Sequence, residues 1–481
     1  MRVVGICSVR FVAFALSAIY GALSANNSLT GNKVLIVLPS ITKKSNFSKF
    51  ISQLQDRDYD VSIKANTDSD LKLLERGKLE YNHVIFLCPT CRRYGKGIDQ
   101  MDISRFVKAG GNMVFSMGPS FSPLNDNISS EFGLSFQNLA LVDHINYYND
   151  TKAENPNLSS SSRNTIFTDN MYNTDHILTH FSQDSKKAQI FYNGIPHTIK
   201  RKSPLIANIL SAPFSTYTIP ESKISAHSNS ESLASDSLSG SNAKLVTTIQ
   251  ARNNARAVFI GSPDMLSNDF FSINKKSQIY SNEHFSQDLT KWAFQETGVL
   301  KADNLHHHKK GETEQLPRYR IKDTITYGLD ISIYDGGKWK PYKANDVQLE
   351  IRMIDPYIRT NLDPSVSKNS KTATTFSKEF MLPDKYGTFK FVVNYKRTGI
   401  SSLLVENIIP IEPLRHDQFP RFLTQAYPYY TSSLLLLSGF VIICYMFIFS
   451  SKFNQTPSTQ ASSSSPSSKG KSHSGKKDKS N

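Results

Sequence analysis

The sequence predicts three structural parts: an α/β N-terminal domain with a parallel sheet, a C-terminal β-sandwich domain and one transmembrane helix. Residues 33 to about 135 alternate between strand-like and helix-like segments. Residues from about 319 to 413 instead contain short strand-like segments separated by turns. Nearer the C-terminus, Ser432 to Phe449 is a stretch of 18 residues without a charge. These three patterns predict a fold class that changes twice along the chain.

The N-terminus has the features of a secretory signal peptide. Two arginines within the first ten residues flank an uncharged apolar run, Phe11–Leu23, and small residues follow at Ser24 and Ala25. This order of charge, apolar run and small residues predicts cleavage near residue 25, which removes residues 1–25. An uncleaved anchor is the alternative, but the apolar run is short for a membrane span.

The alternating segments after residue 26 predict a parallel sheet flanked by helices. Val34–Leu38 is continuously apolar, as expected of a strand that is covered on both faces. A helical face follows, because apolar residues recur at i, i+3, i+4 and i+7: Phe47, Phe50, Ile51 and Leu54. Further strands are predicted at Tyr59–Ile63, His83–Leu87 and Asn112–Met117, and a helix at Asp99–Ala109 that ends at Gly110 and Gly111.

The middle of the chain, residues 136 to 300, has a less regular pattern. Residues 221–241 are rich in serine and poor in apolar residues, which predicts an exposed insertion. Strands are predicted again at Lys244–Gln250 and Ala255–Ile260, and a helix at Asn282–Glu296 with Phe285 and Trp292 on its apolar face. We expect these elements to complete an α/β domain that extends over residues 26–300.

The pattern changes to all-β after residue 300. Five strands are predicted, at Ile325–Ile333, Val347–Ile354, Ser377–Leu382, Thr388–Tyr395 and Leu403–Ile411. A hairpin turn is expected at Asp335-Gly336-Gly337, since glycine tolerates positive φ. Short strands separated by turns predict an immunoglobulin-like β-sandwich domain over residues 301–425.

The uncharged stretch near the C-terminus predicts a membrane helix over residues 427–450. Three tyrosines lie at its start, where an aromatic belt is expected, and the lysine-rich tail of residues 451–481 follows it. This asymmetry predicts a single-pass type I protein with its bulk in the lumen and its C-terminus in the cytosol. Lys477 and Lys479 stand at the fifth and third positions from the C-terminus and resemble the dilysine signal for retrieval to the endoplasmic reticulum.

The net charge of +15 does not indicate nucleic-acid binding. The tail holds six lysines and one aspartate, and two further arginines lie in the signal peptide. The remaining positive charge is spread over some four hundred residues without a basic stripe that could follow a phosphate backbone. Lipid headgroups and a lipid-linked pyrophosphate remain candidate partners.

Two of the four cysteines are candidates for chemistry. Cys7 lies in the signal peptide and Cys444 in the membrane stretch, which leaves Cys88 and Cys91. Their Cys-x-x-Cys spacing after a strand is typical of redox sites, but no helix begins at Cys88. A redox pair, a local disulfide and two inert thiols are therefore the alternatives.

Other polar motifs predict modification rather than catalysis. Five lumenal Asn-X-Ser/Thr sequons are candidate glycosylation sites, at Asn26, Asn46, Asn127, Asn149 and Asn157. The run His306–His308 lacks helical i, i+4 spacing to carboxylates, so we expect a solvated loop and no metal site. Asp143 and His144 have no assignable nucleophile beside them, so a hydrogen-bonded turn is expected. No catalytic, cofactor or metal residue is predicted.

Several stretches together resemble one known family. They are Leu71–Glu75, Tyr81-Asn82-His83, Gln250–Arg256, Gly298-Val299-Leu300, Asp355–Thr360, Leu382–Gly387, Arg421-Phe422 and Ala426–Tyr430. In this order they resemble the 48 kDa subunit family of eukaryotic oligosaccharyltransferase, from about residue 33 into the membrane stretch. The Ser-rich insertion, the long tail and the Cys88/Cys91 pair are departures from that resemblance.

The resemblance implies a function in N-linked glycosylation. It implies a non-catalytic subunit for complex assembly and stability, with an N-terminal domain like that of glutamine amidotransferases without their active site. Implied partners are other subunits, including the multi-spanning catalytic one, together with membrane lipid and indirectly the dolichol-linked oligosaccharide. A lumenal thiol oxidoreductase that uses Cys88 and Cys91 is the main alternative, and a glycan-binding receptor or chaperone is a weaker one.

Overall fold

The computed structural model describes residues 28–95, 97–147, 163–183, 189–220, 237–272, 282–366, 371–419 and 423–450. The chain divides into two compact units, Met1–Pro413 and Leu414–Asn481. The predicted signal peptide, most of the Ser-rich insertion and the lysine-rich tail lie outside the described residues.

The strands of the first unit fall into two groups along the chain. Those that precede residue 261 are β1 (Lys33–Leu38), β2 (Asp60–Ala65), β3 (Leu74–Glu75), β4 (Lys78–Leu79), β5 (His83–Phe86), β6 (Asn112–Ser116), β7 (Leu134–Phe136), β8 (Ala140–Val142), β9 (Ile166–Thr168), β10 (Ile190–Tyr192), β11 (His197–Ile199), β12 (Ile206–Ser211), β13 (Tyr217–Ile219), β14 (Lys244–Gln250) and β15 (Arg256–Ile260). Those that follow are β16 (Thr297–Lys309), β17 (Tyr319–Arg320), β18 (Thr324–Asp335), β19 (Lys338–Pro341), β20 (Gln348–Arg352), β21 (Pro356–Asn361), β22 (Asp363–Val366), β23 (Thr374–Met381), β24 (Gly387–Tyr395) and β25 (Leu403–Glu412).

The described helices of the first unit all precede β16. They are α1 (Ser48–Gln55), α2 (Gln100–Lys108), α3 (Pro123–Glu131), α4 (Thr174–Ile177), α5 (Thr179–Gln183), α6 (Asn268–Phe271) and α7 (Asn282–Ala293). The predicted glycine end of α2 is present, since Gly110 follows the helix with φ of +100°. Asp99 and Asp102 form a capping box at its N-terminus.

The main sheet has nine strands and is parallel only in its first half. Its order is β2-β1-β5-β6-β15-β14-β11-β7, with β12 also paired to β14. The pairs from β2 to β15 are parallel, whereas β14, β11, β7 and β12 pair antiparallel. The parallel sheet predicted from residues 33 to about 135 is therefore present, and an antiparallel half that was not predicted extends it. Its antiparallel half comes largely from short strands in residues 134–211, which have too few residues to display a period in sequence.

The strands at the centre of this sheet are covered on both faces, as the apolar run Val34–Leu38 predicted. One core contains α1 and α7, through residues such as Leu54 and Trp292. The opposite core contains α2, through residues such as Phe106. Burial on both faces explains why β1 contains no polar residue after Lys33.

The strands after residue 296 form two five-stranded sheets that share one core. The first sheet has the order β16-β18-β23-β22 with β19 beside β18, and the second has the order β17-β25-β24-β20-β21. Inward residues of both sheets contribute to the core, among them Tyr327 and Phe391. The hairpin from β18 to β19 turns at Gly336 and Gly337, both with positive φ, as the sequence predicted.

The second unit contains a long apolar helix, α8 (Tyr427–Ser450). Together with the short turn before it, the stretch Thr424–Ser450 is long and apolar enough to cross a membrane, with a mean hydropathy of 2.3. None of that stretch is buried against other parts of the protein. This agrees with the prediction of one membrane helix.

Candidate functional site

The Cys88 and Cys91 pair lies in a buried loop after β5. The two cysteines are joined by a disulfide, with Cα atoms 5.5 Å apart, and both side chains are buried. The Asn125 side-chain amide donates to the carbonyl oxygens of Cys88 and Pro89 at 3.0 and 2.7 Å, and the Tyr94 hydroxyl donates to that of Cys88 at 3.2 Å. Thiol exchange requires an accessible thiolate, so this burial disfavours redox catalysis.

We expect the variant in which Cys88 and Cys91 are both replaced by serine to retain its cellular function. Its free energy of unfolding should fall by about 2 kcal/mol, since a disulfide that closes so short a loop restricts the unfolded chain only slightly. Urea unfolding of the purified protein measures the loss, and wild-type protein reduced with dithiothreitol should show a similar one. A folded double variant without cellular function would instead support a redox role.

Two of the five candidate glycosylation sites lie among the described residues. Asn46 is exposed in the 3-10 turn Ile41–Phe47, and Asn127 is exposed on α3. The Ser129 hydroxyl of the second sequon is buried and donates to the Asp126 carbonyl oxygen at 2.9 Å. Asn26, Asn149 and Asn157 lie outside the described residues, as do Lys477 and Lys479.

The histidine run lies in a strand, so the prediction of a solvated loop was wrong. His306, His307 and His308 belong to β16 and pair with β18. Alternation along the strand directs His307 inward, where its Nδ1 lies 2.8 Å from the Tyr319 hydroxyl. Burial lowers the pKa of His307. The other two rings stack on each other on the opposite face.

Asp143 stabilises a turn, as expected. Its Oδ1 accepts the backbone N–H of Ile145 at 2.8 Å, and its Oδ2 accepts the Ser215 hydroxyl at 2.8 Å. Both carboxylate oxygens are therefore used in structural hydrogen bonds. Among the described residues, no group of three or more His, Cys, Asp or Glu is placed to hold a metal ion.

An open groove of about 830 Å³ lies beside β11, β12 and β14. Lys202, Ser203, Leu238 and Lys244 are among its lining residues. The Lys244 amino group already donates to the Ser241 carbonyl oxygen at 2.6 Å and to the Ser211 hydroxyl at 3.3 Å. The amino group of Lys244 is therefore already used in hydrogen bonds within the fold.

A polar cluster joins the end of the main sheet to the first strand of the β-rich region. We call it the polar seam, and it comprises Asn112, Asn254, Arg256, Trp292, Gln295, Thr297, Gly298, Gly399, Ser401 and Ser402. It includes part of the Gln250–Arg256 stretch on which the family resemblance rests, although the sequence did not reveal the contacts of these residues.

Arg256 is the central residue of the polar seam and is completely buried. Its guanidinium donates to the carbonyl oxygens of Trp292, Thr297 and Gly298 at 2.7, 2.6 and 2.7 Å. It also lies over the Trp292 ring, 4.7 Å from the centroid. Burial lowers the pKa of Arg256 to about 9, so the side chain remains charged at neutral pH. One cation thus connects the end of α7 to the start of β16.

Two further residues hold the same junction. Asn254 accepts the backbone N–H and the hydroxyl of Ser402 at 2.8 and 2.6 Å, and its amide donates to the Ser402 carbonyl oxygen at 3.1 Å. The Trp292 indole N–H donates to the Gly399 carbonyl oxygen at 2.8 Å. Asn254 and Trp292 therefore fix the loop before β25 against the main sheet.

Gly298 allows the close approach at this junction. Its φ is +68°, and a Cβ at this position would lie 2.7 Å from the Gly399 carbonyl oxygen. Its own carbonyl oxygen accepts the backbone N–H of Ser401 at 2.8 Å. A larger residue at position 298 would strain the backbone and separate the start of β16 from the loop at Gly399.

A second buried network adjoins the polar seam. Arg57 forms an ion pair with Glu296 at 2.8 Å, and the Tyr59 hydroxyl donates to the same carboxylate oxygen at 2.6 Å. Arg57 also donates to the Thr290 hydroxyl at 2.9 Å. Burial, together with the charge of Glu296, raises the pKa of Tyr59. Nearby, burial lowers the pKa of His83 to about 3, so this ring is neutral.

The charged groups of these networks bind other parts of the protein itself. The contacts join α1, α7, β15, β16 and the loop before β25, and each buried charge has a partner within the fold. Such an arrangement stabilises the relative position of structural elements.

Comparison with known proteins gives a consistent result across the chain. The family model "OST48, N-terminal domain" matches residues 25–296, and the model "OST48 middle domain" matches residues 306–451. The "Dolichyl-diphosphooligosaccharide--protein glycosyltransferase 48 kDa subunit" of Arabidopsis thaliana is 32% identical, with 91% of this chain and 97% of that protein covered. The proteins of the same name from Caenorhabditis elegans and Danio rerio are 31% and 29% identical, over 87% and 90% of this chain and 91% and 95% of their own.

Similarity to solved structures is weak by comparison. A ThuA-like protein from Parabacteroides merdae aligns with 60% of this chain and 92% of its own, at 12% identity and a TM-score of 0.27. An alignment at this level does not assign a fold.

Proposed function

The chain belongs to the OST48 family, and on that premise we propose that it is a non-catalytic, structural subunit of the oligosaccharyltransferase complex of the endoplasmic reticulum. That complex transfers a preassembled oligosaccharide from dolichol pyrophosphate to the asparagine of Asn-X-Ser/Thr in nascent proteins. The observation that carries the proposal is the extent of the match, which covers 91% of this chain and 97% of the Arabidopsis subunit. The contacts of Arg256 and Glu296 support a structural role, because these buried charges bind other parts of the fold.

The proposed topology is that of a type I membrane protein. The first unit lies in the lumen, the helix α8 crosses the membrane and the lysine-rich tail lies in the cytosol. The uncharged stretch before that tail supports this orientation. Lys477 and Lys479 would return the protein to the endoplasmic reticulum, where the other subunits, including the multi-spanning catalytic one, are its partners. Contact with the dolichol-linked donor is indirect in this proposal.

We also propose a finer description of the fold. The five consecutive parallel strands with helices on both faces support an amidotransferase-like domain without an active site over residues 26–300. The two five-stranded sheets around one core support a β-sandwich domain over residues 301–425. The strand β16 crosses this boundary, and the polar seam lies at its beginning.

Depletion of the chain in cells tests the proposed role. We expect under-glycosylation of secreted reporter proteins, with more than half of weak sequons left unmodified, and recovery after expression of the wild-type chain. Purification through the chain in mild detergent should recover a multi-spanning glycosyltransferase subunit. The Cys88→Ser/Cys91→Ser variant serves as the matched control and should restore glycosylation as well as the wild type does.

Activity measurements on purified material test the non-catalytic assignment. The chain alone, given a lipid-linked oligosaccharide and an acceptor peptide, should transfer no glycan, whereas the complex that contains it should. Recovery of the chain as a lone monomer, with glycosylation intact after depletion, would contradict the proposal. Transfer by the isolated chain would contradict the non-catalytic assignment only.

A further inference from the structure

The chain leaves its first unit at one end of the second five-stranded sheet. The last strand, β25, ends at Glu412, which pairs with Arg320 of β17, while Ile411 pairs with Gly387 at the start of β24. The first unit ends one residue later, at Pro413. The turns and loops around this point therefore mark the side of the unit from which the chain continues to α8.

Three segments lie together at this end. The turn Arg320–Asp323 contacts the loop Met381–Gly387, since Lys322 pairs with Asp384 at 2.8 Å and Asp323 accepts the backbone N–H of Leu382 at 2.9 Å. The turn Met353–Asp355 adjoins the same loop, because a Cβ at Gly387 would lie 2.9 Å from the Met353 sulfur. We call these three segments, together with the end of β25, the exit edge.

Large apolar side chains on the exit edge face solvent. Ile354 is 89% exposed, Tyr386 is 68% exposed and Met381 is 59% exposed. Single exposed apolar residues are common on soluble proteins, but three in contacting segments at one end form a local cluster. Ile354 stands at the tip of a turn, where no packing requirement within the fold selects an isoleucine.

The charges of the exit edge do not indicate an anionic ligand. Lys322 is paired with Asp384, and Lys309 is paired with Asp323 at 3.0 Å. The remaining exposed charges, Lys385 and Asp355, have opposite signs. An apolar cluster with a nearly neutral rim and tyrosine at its margin matches the composition that favours the interface between lipid headgroups and acyl chains.

The length of the connection limits how far the exit edge can lie from the membrane. Ten residues, Leu414 to Leu423, separate the end of the first unit from the start of the apolar stretch at Thr424. Fully extended, ten residues span about 35 Å, and any bend shortens that distance. A connection of this length allows the exit edge to reach the bilayer surface, and a small apolar cluster that is tethered in this way suffices for contact.

We propose that the exit edge contacts the bilayer directly, with Ile354 and Tyr386 inserted at the level of the lipid headgroups. The inserted residues would hold the first unit in a fixed orientation above the membrane surface. The proposal requires the membrane span but not the assigned role in glycosylation, so each can fail without the other.

Fluorescence quenching in vesicles tests this contact. Full-length protein with Cys444→Ser and Ile354→Cys is labelled with nitrobenzoxadiazole at position 354 and reconstituted into neutral phosphatidylcholine vesicles. We expect lipids that are spin-labelled near the headgroup to quench this label at least twofold more strongly than a label at Leu404→Cys. Leu404 is the matched control, because it is also an exposed apolar residue, with 61% of its surface accessible. It lies near the start of β25, seven residues and about 23 Å from Ile411 at the exit edge.

Aqueous iodide provides the complementary measurement. It should quench the label at position 404 at least twofold more strongly than the label at 354, and a label at Tyr386→Cys should behave like that at 354. Equal quenching at 354, 386 and 404 would overturn the proposal. A second outcome would also overturn it: the label at position 354 is protected from iodide only in the assembled complex and is not quenched by the spin-labelled lipids. That outcome would identify a protein partner at the exit edge.

Discussion

Replacement of Arg256 by methionine is expected to lower the free energy of unfolding by about 3 kcal/mol. The change removes three hydrogen bonds from a charged donor, which typically contribute about 1.5–3 kcal/mol each. The loss is partly offset, since methionine avoids the burial of a charge and of the guanidinium Nε, which has no acceptor among the described residues. The hydrogen bonds should prevail because one of them is accepted by the Trp292 carbonyl oxygen in the last turn of α7, where a cation is favourable.

Urea unfolding of the full-length protein in detergent, followed by tryptophan fluorescence, measures this change. The matched control is Arg252→Met, four residues away in the same stretch but exposed, for which we expect a change within about 0.5 kcal/mol. Arg256→Lys should give an intermediate loss, because one amino group cannot reach all three carbonyl oxygens. Equal stabilities of the Arg256→Met and Arg252→Met variants would show that the polar seam does not depend on the buried cation.

Replacement of Glu296 by alanine is expected to cost about 3–5 kcal/mol, the typical effect of removing one partner of a buried ion pair. The variant leaves the Arg57 guanidinium, 8% exposed, without a counter-charge and removes the acceptor of the Tyr59 hydroxyl. Arg57→Met combined with Glu296→Leu should recover at least half of this loss, since both charges are then absent. The same urea unfolding measures all three proteins.

An exposed ion pair provides the comparison for Glu296. Lys301 and Asp303 lie 2.9 Å apart with about half of each side chain exposed, so Asp303→Ala should cost no more than about 1 kcal/mol. If the double variant were as unstable as Glu296→Ala, the loss would come from packing around α7 and not from the unpaired charge.

The elements that the sequence predicted are those with a strong period or a clear end signal. The apolar run of β1, the i, i+4 face of α1 and the glycines after α2 and β18 encode their structures locally. The short strands β7 to β13 lack such a period, and their pairing depends on contacts across distant parts of the chain. The histidines of β16 were misassigned because polar residues in a strand give no alternating pattern when both faces are partly exposed.

The candidate site was less predictable than the fold. The Gln250–Arg256 stretch could be recognised by resemblance, yet nothing local indicates that Arg256 reaches carbonyl oxygens some forty residues later in the chain. The partner of Glu296 is even more remote, since Arg57 lies 239 positions earlier. Long-range hydrogen bonds of this kind depend on the completed fold, so no periodicity in the sequence reports them.

The position of β25 has a consequence for local unfolding. Its first residues follow the loop that Asn254 and Trp292 hold against the main sheet, and its last residues continue toward the membrane helix. β25 shares nine register pairs with β24, which extend from Leu403, beside that loop, to Ile411 at the other end of the strand. Partial unfolding that begins at Ile411 must therefore break these pairs one after another before it reaches the loop held by Asn254 and Trp292.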